Sequence, residues 1–234
     1  MMMPFFDPTM VLLIPGIILA FWAQMKVQST YRRFSEVASA SGRTGREIAM
    51  RILSQNGIND VEVEMGHGFL SDHYDPVHRK VRLSEHNFQE SSISAIAVAA
   101  HEVGHAIQHA RGYAPLQFRT AIFPLANIGS MAAWIFIMAG LFFVPGVRIA
   151  GVSLLDIGIV FFSLGVLFQL VTLPVEFDAS RRALVQLNEM GIVAPQEQAG
   201  AKKVLSAAAL TYVAAATAAI LELVRLLVLR NQRD

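Results

Sequence analysis

The chain has 234 residues, no cysteine and a formal net charge of +1, and hydrophobic residues make up 54% of it. This apolar fraction exceeds that of an ordinary soluble domain and indicates a membrane protein. The absence of cysteine excludes disulfides and thiolate metal sites. The near-zero net charge gives no reason to expect a nucleic-acid partner.

Four stretches contain no Asp, Glu, Lys or Arg and have about the length that a bilayer demands, roughly 17–25 residues. They cover residues 8–25, 120–144, 157–175 and 204–221. The first lacks the basic region of a cleavable signal peptide, so we expect an uncleaved transmembrane anchor there. The fourth is rich in Ala, and it could either span the membrane or pack against the other helices.

Positive charge follows the anchor closely, at Lys26, Arg32, Arg33, Arg43 and Arg46. Loops rich in Lys and Arg beside a span usually stay in the cytoplasm. We therefore expect the N-terminus outside the cell and residues 26–119 inside. The sequence predicts a multi-pass protein of the plasma membrane whose site faces the cytoplasm.

Residues 26–119 are predicted to fold in water as a small mixture of helix and strand. Thr44 and Glu47 fit a capping box at a helix start. Ser91 or Ser92 can cap a further helix that ends before Gly112. The patterns indicate helix at 32–55 with a break near Ser41, strands at 61–64 and 80–84, and helix at about 91–110.

The last of these helices carries an H-E-x-x-H motif, formed by His101, Glu102 and His105. Residues four apart lie on one face of a helix, so both histidines can reach the same metal ion. Glu102 lies about 100° around the helix from His101, where a general base for a metal-bound water belongs. The motif is short enough to occur by chance, so its context must decide.

A catalytic zinc site needs three protein ligands and an open position, so the motif requires a third ligand from elsewhere. Glu176 follows two predicted spans, which return the chain to the side of the motif, although it could also be a solvated carboxylate at a helix start. Asp178 could substitute, but it would face the other way on the same helix. Asp156 would be the third ligand in a site-2-type intramembrane protease. That class carries its motif inside a membrane helix, and the apolar run 93–100 is too short to cross a bilayer.

His109 is the remaining candidate on the motif helix. It lies two further turns from His101, a rise of roughly 12 Å, which is too far for a shared metal ion. Extended metzincin motifs also place Gly and His where this chain has Gln108 and Arg111. We therefore interpret His109 as a supporting or surface residue rather than as a ligand.

These residues resemble the membrane-bound neutral zinc metallopeptidases of the YugP type. The resemblance rests on the sequences at 101–109, 80–88 and 176–180, and it covers nearly the whole chain. More distantly, the chain is similar to the HtpX-like and CAAX-prenyl-protease gluzincins. In that group H-E-x-x-H is followed, across a transmembrane hairpin, by E-x-x-A-D.

The resemblance implies that His101, His105 and Glu176 hold Zn²⁺ and that Glu102 is the catalytic base. It implies an α-helical integral membrane protein with a small α+β, zincin-like domain. Ser180 departs from the larger group, which has an Asp at that position that commonly supports a histidine ligand. Ser180, Asp178 and His109 are therefore candidates for contacting a ligand from behind.

The predicted organisation has five parts. They are a transmembrane anchor (8–25), a metallopeptidase segment (26–119), a transmembrane hairpin (120–175), a helix with the third ligand (176–203) and a transmembrane or membrane-associated helix (204–229).

The predicted function is hydrolysis of peptide bonds in membrane or membrane-proximal proteins by a zinc-activated water. The partners would be a protein or peptide substrate and the lipid bilayer. The strand at 81–83 is predicted to pair with an extended substrate. Gly104 is predicted to allow either close helix packing or access to the metal, and packing is favoured. The main alternative function is a non-catalytic zinc-binding scaffold or chaperone, which the intact Glu102 disfavours.

Overall fold

The computed structural model describes residues 7–68, 71–144 and 146–232. The helices are a short 3₁₀ turn at Pro8–Leu13, α1 (Ile14–Ser35), α2 (Gly45–Gln55), α3 (Glu85–Gln89), α4 (Ile93–Ala110), α5 (Ala114–Met138), a π-helical turn at Ala139–Phe143, α6 (Leu154–Glu189) and α7 (Pro195–Asn231). The strands are β1 (Glu62–Gly66), β2 (His73–Asp75), β3 (Lys80–Ser84), β4 (Arg148–Ile149) and β5 (Val152–Ser153).

The chain divides into two compact units, each assembled from separate stretches of sequence. One, here called the apolar unit, comprises Met1–Trp22, Phe118–Leu173 and Tyr212–Asp234. The other, here called the mixed unit, comprises Ala23–Gln117 and Pro174–Thr211. Within the described residues, four helical stretches are long and apolar enough to cross a membrane: Pro8–Ser35, Ala114–Phe143, Leu154–Glu189 and Pro195–Asn231.

The mixed unit is built around α4, which is buried along most of its length. Ser92 caps this helix by accepting a hydrogen bond from the backbone N–H of Ala95, as the sequence predicts. Its apolar side chains pack in one core with α2, β3 and the C-terminal part of α6. Val103 and Ile107, on the same helix as the two motif histidines, are part of that core. The core therefore fixes the position of the motif.

A three-stranded sheet lies in the mixed unit in the order β1-β3-β2. β1 runs parallel to β3, and β2 runs antiparallel to it, with His73 opposite Arg82. The prediction that 81–83 pairs with substrate is wrong, because β1 and β2 already occupy the two edges of β3. The three-residue strand β2 had no alternating pattern long enough to be recognised.

Helix continuity differs from the predicted organisation at three places. One is α7, which runs from Pro195 to Asn231 across the predicted boundary between 203 and 204. α1 continues beyond the apolar stretch 8–25 to Ser35, and α6 continues through Pro174 to Glu189. Glu176 is therefore on the same helix as the third apolar stretch rather than at the start of a new one. The mostly α-helical class with four apolar helices and a small α+β part is confirmed.

Candidate metal centre

The two motif histidines and Glu176 converge in the mixed unit. The Nε2 atom of His101 lies 3.2 Å from Oε2 of Glu176, and the Nε2 atom of His105 lies 3.5 Å from the same oxygen. One ligand atom from each of the three residues lies within 4.8 Å of the other two. Among the described residues, this is the one group of His, Asp and Glu side chains placed to hold a metal ion.

The distances from Oε2 of Glu176 to the two histidine nitrogens fit zinc. Ligand atoms about 2.0–2.1 Å from a tetrahedral zinc ion lie roughly 3.3 Å from one another. The two nitrogen–oxygen distances of 3.2 and 3.5 Å bracket that value. Two imidazoles and one carboxylate are also a donor set found in catalytic zinc sites, with a fourth position left for water.

Close packing of two helices brings Glu176 to the motif. Gly104 lies against the turn of α6 that follows Glu176, and a Cβ atom added there would come within 2.6 Å of the carbonyl oxygen of Ala179. No ordinary side chain fits at that distance, so glycine is required for this approach. The packing role favoured for Gly104 is confirmed.

Ser180 contacts the ring nitrogen of His101 that faces away from Glu176. Its Oγ lies 3.1 Å from Nδ1 of His101, on the opposite side of the ring from Glu176. When that Nδ1 donates to the hydroxyl oxygen, Nε2 carries the lone pair and faces Glu176. The serine hydroxyl thus lies behind a histidine ligand at the position where the larger group has an aspartate.

Gln108 does the same for His105, and it was not among the predicted site residues. Its Nε2 donates to the backbone carbonyl of Val175, at 2.8 Å, and to Oδ2 of Asp178, at 2.9 Å. These two acceptors orient the amide, so that Oε1 faces Nδ1 of His105 at 3.0 Å and accepts its proton. In the neutral ring, the lone pair of His105 is therefore on Nε2, toward Glu176.

Gln108 is fully buried. The sequence signal for this role is an amide side chain three residues after His105. At that spacing Gln108 lies on the same face of the helix as the histidine. It was noted only as a mismatch to a different motif.

Glu102 lies close enough to His101 and His105 for their charges to act on its carboxyl group. Its side chain is 8% exposed, and within residues 7–68, 71–144 and 146–232 its carboxylate makes no hydrogen bond or ion pair. Burial raises the pKa of Glu102, and the positive charges that His101 and His105 can carry act in the opposite direction. A buried carboxylate with free acceptor capacity can take up a proton.

The charge environment of His105 is dominated by carboxylates. Burial alone lowers the pKa of a histidine. The hydrogen bond and the negative charge of Glu176 outweigh it, so that the pKa of His105 is raised. The site thus carries a negative potential that favours a cation between these side chains.

The remaining candidates lie elsewhere. Asp178 faces away from the histidine nitrogens that face Glu176 and forms ion pairs with Arg181 and Arg182. It reaches His105 only through Gln108. Asp156 belongs to the apolar unit, where it pairs with Arg230 at 2.9 Å.

His109 is joined to the sheet rather than to the cluster. Its Nδ1 lies 2.7 Å from the hydroxyl of Tyr74 in β2. Burial, followed by the charge of Arg79, lowers the pKa of His109. The hydroxyl of Tyr74 is therefore engaged with this histidine in the structure.

Sequence comparisons agree with this geometry. The sequence model of a family described as "putative neutral zinc metallopeptidase" matches residues 9–231. The chain belongs to this family. It is also 49% identical over 224 residues to a protein of Bacillus subtilis (strain 168) named "putative membrane protease YugP", covering 95% of this chain and 97% of that protein. No solved structure matches the chain significantly. The resemblance to the YugP type is confirmed.

Proposed function

We propose that the chain is a membrane-anchored zinc endopeptidase that hydrolyses peptide bonds in membrane or membrane-proximal proteins. The observation that carries the proposal is the convergence of His101, His105 and Glu176 within 4.8 Å beside a buried, unpartnered Glu102. In this proposal the first three residues are the metal ligands, and Glu102 is the general base.

A zinc ion bound by these ligands supplies a Lewis acid that polarises a peptide carbonyl and makes water acidic near neutral pH. Glu102 accepts the proton of the attacking water at its carboxylate. The same carboxyl group then delivers that proton to the nitrogen of the leaving amine. In this reaction water is the attacking group, and Glu102 both receives and returns the proton. No covalent bond between enzyme and substrate is therefore needed.

Gln108 favours the tautomer of His105 that leaves Nε2 unprotonated, and the Ser180 hydroxyl can accept from Nδ1 of His101 in the corresponding tautomer. Each acts on the ring nitrogen that faces away from Glu176. Such contacts behind a ligand orient it and typically change metal affinity 10- to 100-fold when removed. Asp178 contributes indirectly by fixing the amide of Gln108.

The membrane arrangement is part of the same proposal. The four apolar helices span the bilayer, with the N-terminus outside the cell. The basic residues that follow the first span place the mixed unit on the cytoplasmic side. Its substrates would then be cytoplasmic segments of membrane proteins or chains close to the membrane surface.

A site-2-type intramembrane protease is disfavoured by two observations. The motif helix α4 is not one of the four helices of the described chain that could cross a membrane. Asp156, the ligand such an enzyme would use, is in an ion pair with Arg230 in the apolar unit. The motif therefore lies outside the membrane in this proposal.

The test is Glu102→Gln in the full-length protein in detergent, compared with Glu189→Gln as a matched control at an exposed position. Zinc content is measured by mass spectrometry, and cleavage is followed on fluorescently labelled β-casein. We expect Glu102→Gln to keep its zinc and to lose roughly 10²- to 10⁴-fold of the cleavage rate. The control should keep both.

Equal cleavage by Glu102→Gln and wild type would contradict the proposed role of Glu102. In cells, a phenotype that persists with Gln at this position would instead favour a zinc-binding scaffold. Loss of zinc from Glu102→Gln would mean that this residue belongs to the ligand set.

A further inference from the structure

A groove with four cations lies between α1 and α7 in the mixed unit. Its volume is about 710 Å³, which is within the range of ligand pockets. The cations that line it are Lys26, Arg33, Lys202 and Lys203, and none of its lining residues is acidic.

These cations have no counter-ion among the residues that the structure describes. No ion pair of the described residues involves any of the four, and all four side chains are exposed. The guanidinium of Arg33 lies 5.7 Å from the centre of the Phe34 ring, so its near neighbour is an aromatic face. Like charges gathered around one groove repel one another, and a bound anion would relieve that repulsion.

The groove lies where charged sequence gives way to apolar sequence on both helices. On α1 the charge-free stretch 8–25 ends at Lys26, and on α7 the charge-free stretch 204–221 begins after Lys203. Ala207 and Leu210, within that second stretch, also line the groove. The lining therefore changes from cationic to apolar as α7 enters its membrane-compatible part.

The two helices are in tight contact beside the groove. A Cβ atom added at Gly200 would lie 2.8 Å from Cε1 of Phe34, so α7 approaches the aromatic ring as closely as glycine allows. Thr30 is buried at the same side of α1. The groove is thus a shaped cleft between packed helices rather than an open cluster of surface lysines.

We propose that this groove binds the headgroup phosphate of an anionic phospholipid. The four cations would surround the phosphate, the exposed hydroxyl of Ser206 would donate to it, and the acyl chains would follow Ala207 and Leu210. A free phosphate would satisfy the cations alone, whereas a phospholipid also matches the apolar part of the lining. Basic pockets between membrane helices on the cytoplasmic side are a known setting for such headgroups.

The binding is tested on the full-length protein in a neutral detergent by native mass spectrometry. The probes are dioctanoyl phosphatidylglycerol, dioctanoyl phosphatidylcholine and inorganic phosphate. We expect wild type to bind the phosphatidylglycerol roughly 10-fold or more tightly than the phosphatidylcholine. The double variant Lys202→Gln/Lys203→Gln should lose most of this preference, because each Lys near a headgroup contributes roughly 5-fold.

The matched control is Arg43→Gln/Arg51→Gln, which removes two exposed charges from the same unit outside the groove. It should retain the wild-type preference. If the lysine variant does not fold, judged by its unfolding temperature, Lys26→Gln/Arg33→Gln replaces it with the same expectation. Equal affinity for the two lipids, an equal loss in the control, or displacement of the lipid by stoichiometric inorganic phosphate would each overturn the assignment to a phospholipid.

Discussion

The two units differ in which side chains they expose and which they bury. The apolar unit exposes large hydrophobic side chains, such as Phe21 at 69% and Phe143 at 74%. Its prominent ion pairs join residues near helix ends, such as Arg225 with Asp7 and Arg230 with Asp156. The mixed unit instead buries polar side chains in its core, and several of them, such as Gln108, His105 and Glu176, are hydrogen-bonded there.

This difference follows from the solvent that each unit meets. Lipid solvates exposed apolar side chains without cost, but it cannot satisfy a polar group. The mixed unit can carry Gln108 and Glu176 in its interior because neighbouring side chains and carbonyls supply their hydrogen bonds. The chemistry is therefore concentrated there, and substitutions in the two units should have separable effects.

Substitution of a glycine at a helix contact should give the largest difference in effect between the two units. Gly104→Ala in the mixed unit brings a Cβ within 2.6 Å of the Ala179 carbonyl oxygen, and Gly158→Ala in the apolar unit brings one within 2.9 Å of the backbone nitrogen of Ile137. Both should cost about 1–3 kcal/mol of stability. Only Gly104→Ala should displace Glu176 from the histidines, with a loss of roughly 100-fold in cleavage rate.

Thermal unfolding, zinc content and casein cleavage of the two glycine variants measure this difference. Similar activity losses in the two variants would show that the site is not set by the local approach of α4 and α6.

Removal of the Gln108 amide should give the next largest effect. Gln108→Met keeps the volume but leaves the Nδ1 proton of His105 without an acceptor and Asp178 without one of its donors. We expect zinc affinity to fall roughly 10- to 100-fold. The control is Gln186→Met, which removes a hydrogen bond to Asn56 in the same unit. Chelator competition should show an unchanged zinc affinity for that control.

Ser180→Ala should weaken zinc binding less than Gln108→Met. It removes one hydroxyl acceptor of His101 and leaves no buried charge behind. A loss near the lower end of the range, roughly 10-fold, is expected. Ser163→Ala, which removes a hydroxyl bonded to the Ile159 carbonyl in the apolar unit, is the control. If both serine variants bind zinc like wild type, the hydroxyl of Ser180 does not orient His101.

The smallest expected effect concerns a surface turn of the mixed unit. Hydrogen bonds lower the pKa of Asp75 to about 2. They come from the backbone N–H and the ring of His78 and from the backbone N–H of Val77. Because this folded pKa lies below the unfolded value, the contribution of Asp75 to stability is present above about pH 4 and is lost as pH falls toward 2. The His78 partner is largely exposed, so the contribution is below about 1 kcal/mol.

Chemical unfolding of wild type and Asp75→Asn between pH 7 and pH 2 measures that contribution. The difference in unfolding free energy should shrink as the pH falls. A difference that grows toward low pH would have the wrong sign for a lowered pKa.

Local patterns were sufficient to predict the motif helix and its capping residue Ser92, because both depend on residues close in sequence. The two predicted spans between the motif and Glu176 return the chain to the same side of the membrane. Together with the family resemblance, this indicated Glu176 as the third ligand. The same reasoning did not find Gln108, whose importance depends on a carbonyl and a carboxylate 67 and 70 residues away. It also predicted that β3 had an edge free to pair with substrate. Strand order in a sheet depends on contacts between distant residues, which a local sequence pattern does not show.

The boundary predicted at Glu176 shows a third limit. The loss of apolar character after Val175 resembled a helix end, but the helix continues because hydrogen bonding along its axis does not depend on the surrounding solvent. Hydropathy falls where a helix passes from one solvent into another, and it also falls where a helix ends. Hydropathy alone therefore does not distinguish the two cases.

The proposed chemistry depends on one zinc ion held by His101, His105 and Glu176. Its most direct test is the metal content of wild type, Glu176→Ala and Asp156→Ala after dialysis against a weak chelator, measured by mass spectrometry on folded protein. Wild type and Asp156→Ala should each retain about one zinc per chain, and Glu176→Ala should lose it, since a catalytic site needs three protein ligands. Zinc retained by Glu176→Ala at the wild-type level, or lost from Asp156→Ala, would contradict the account.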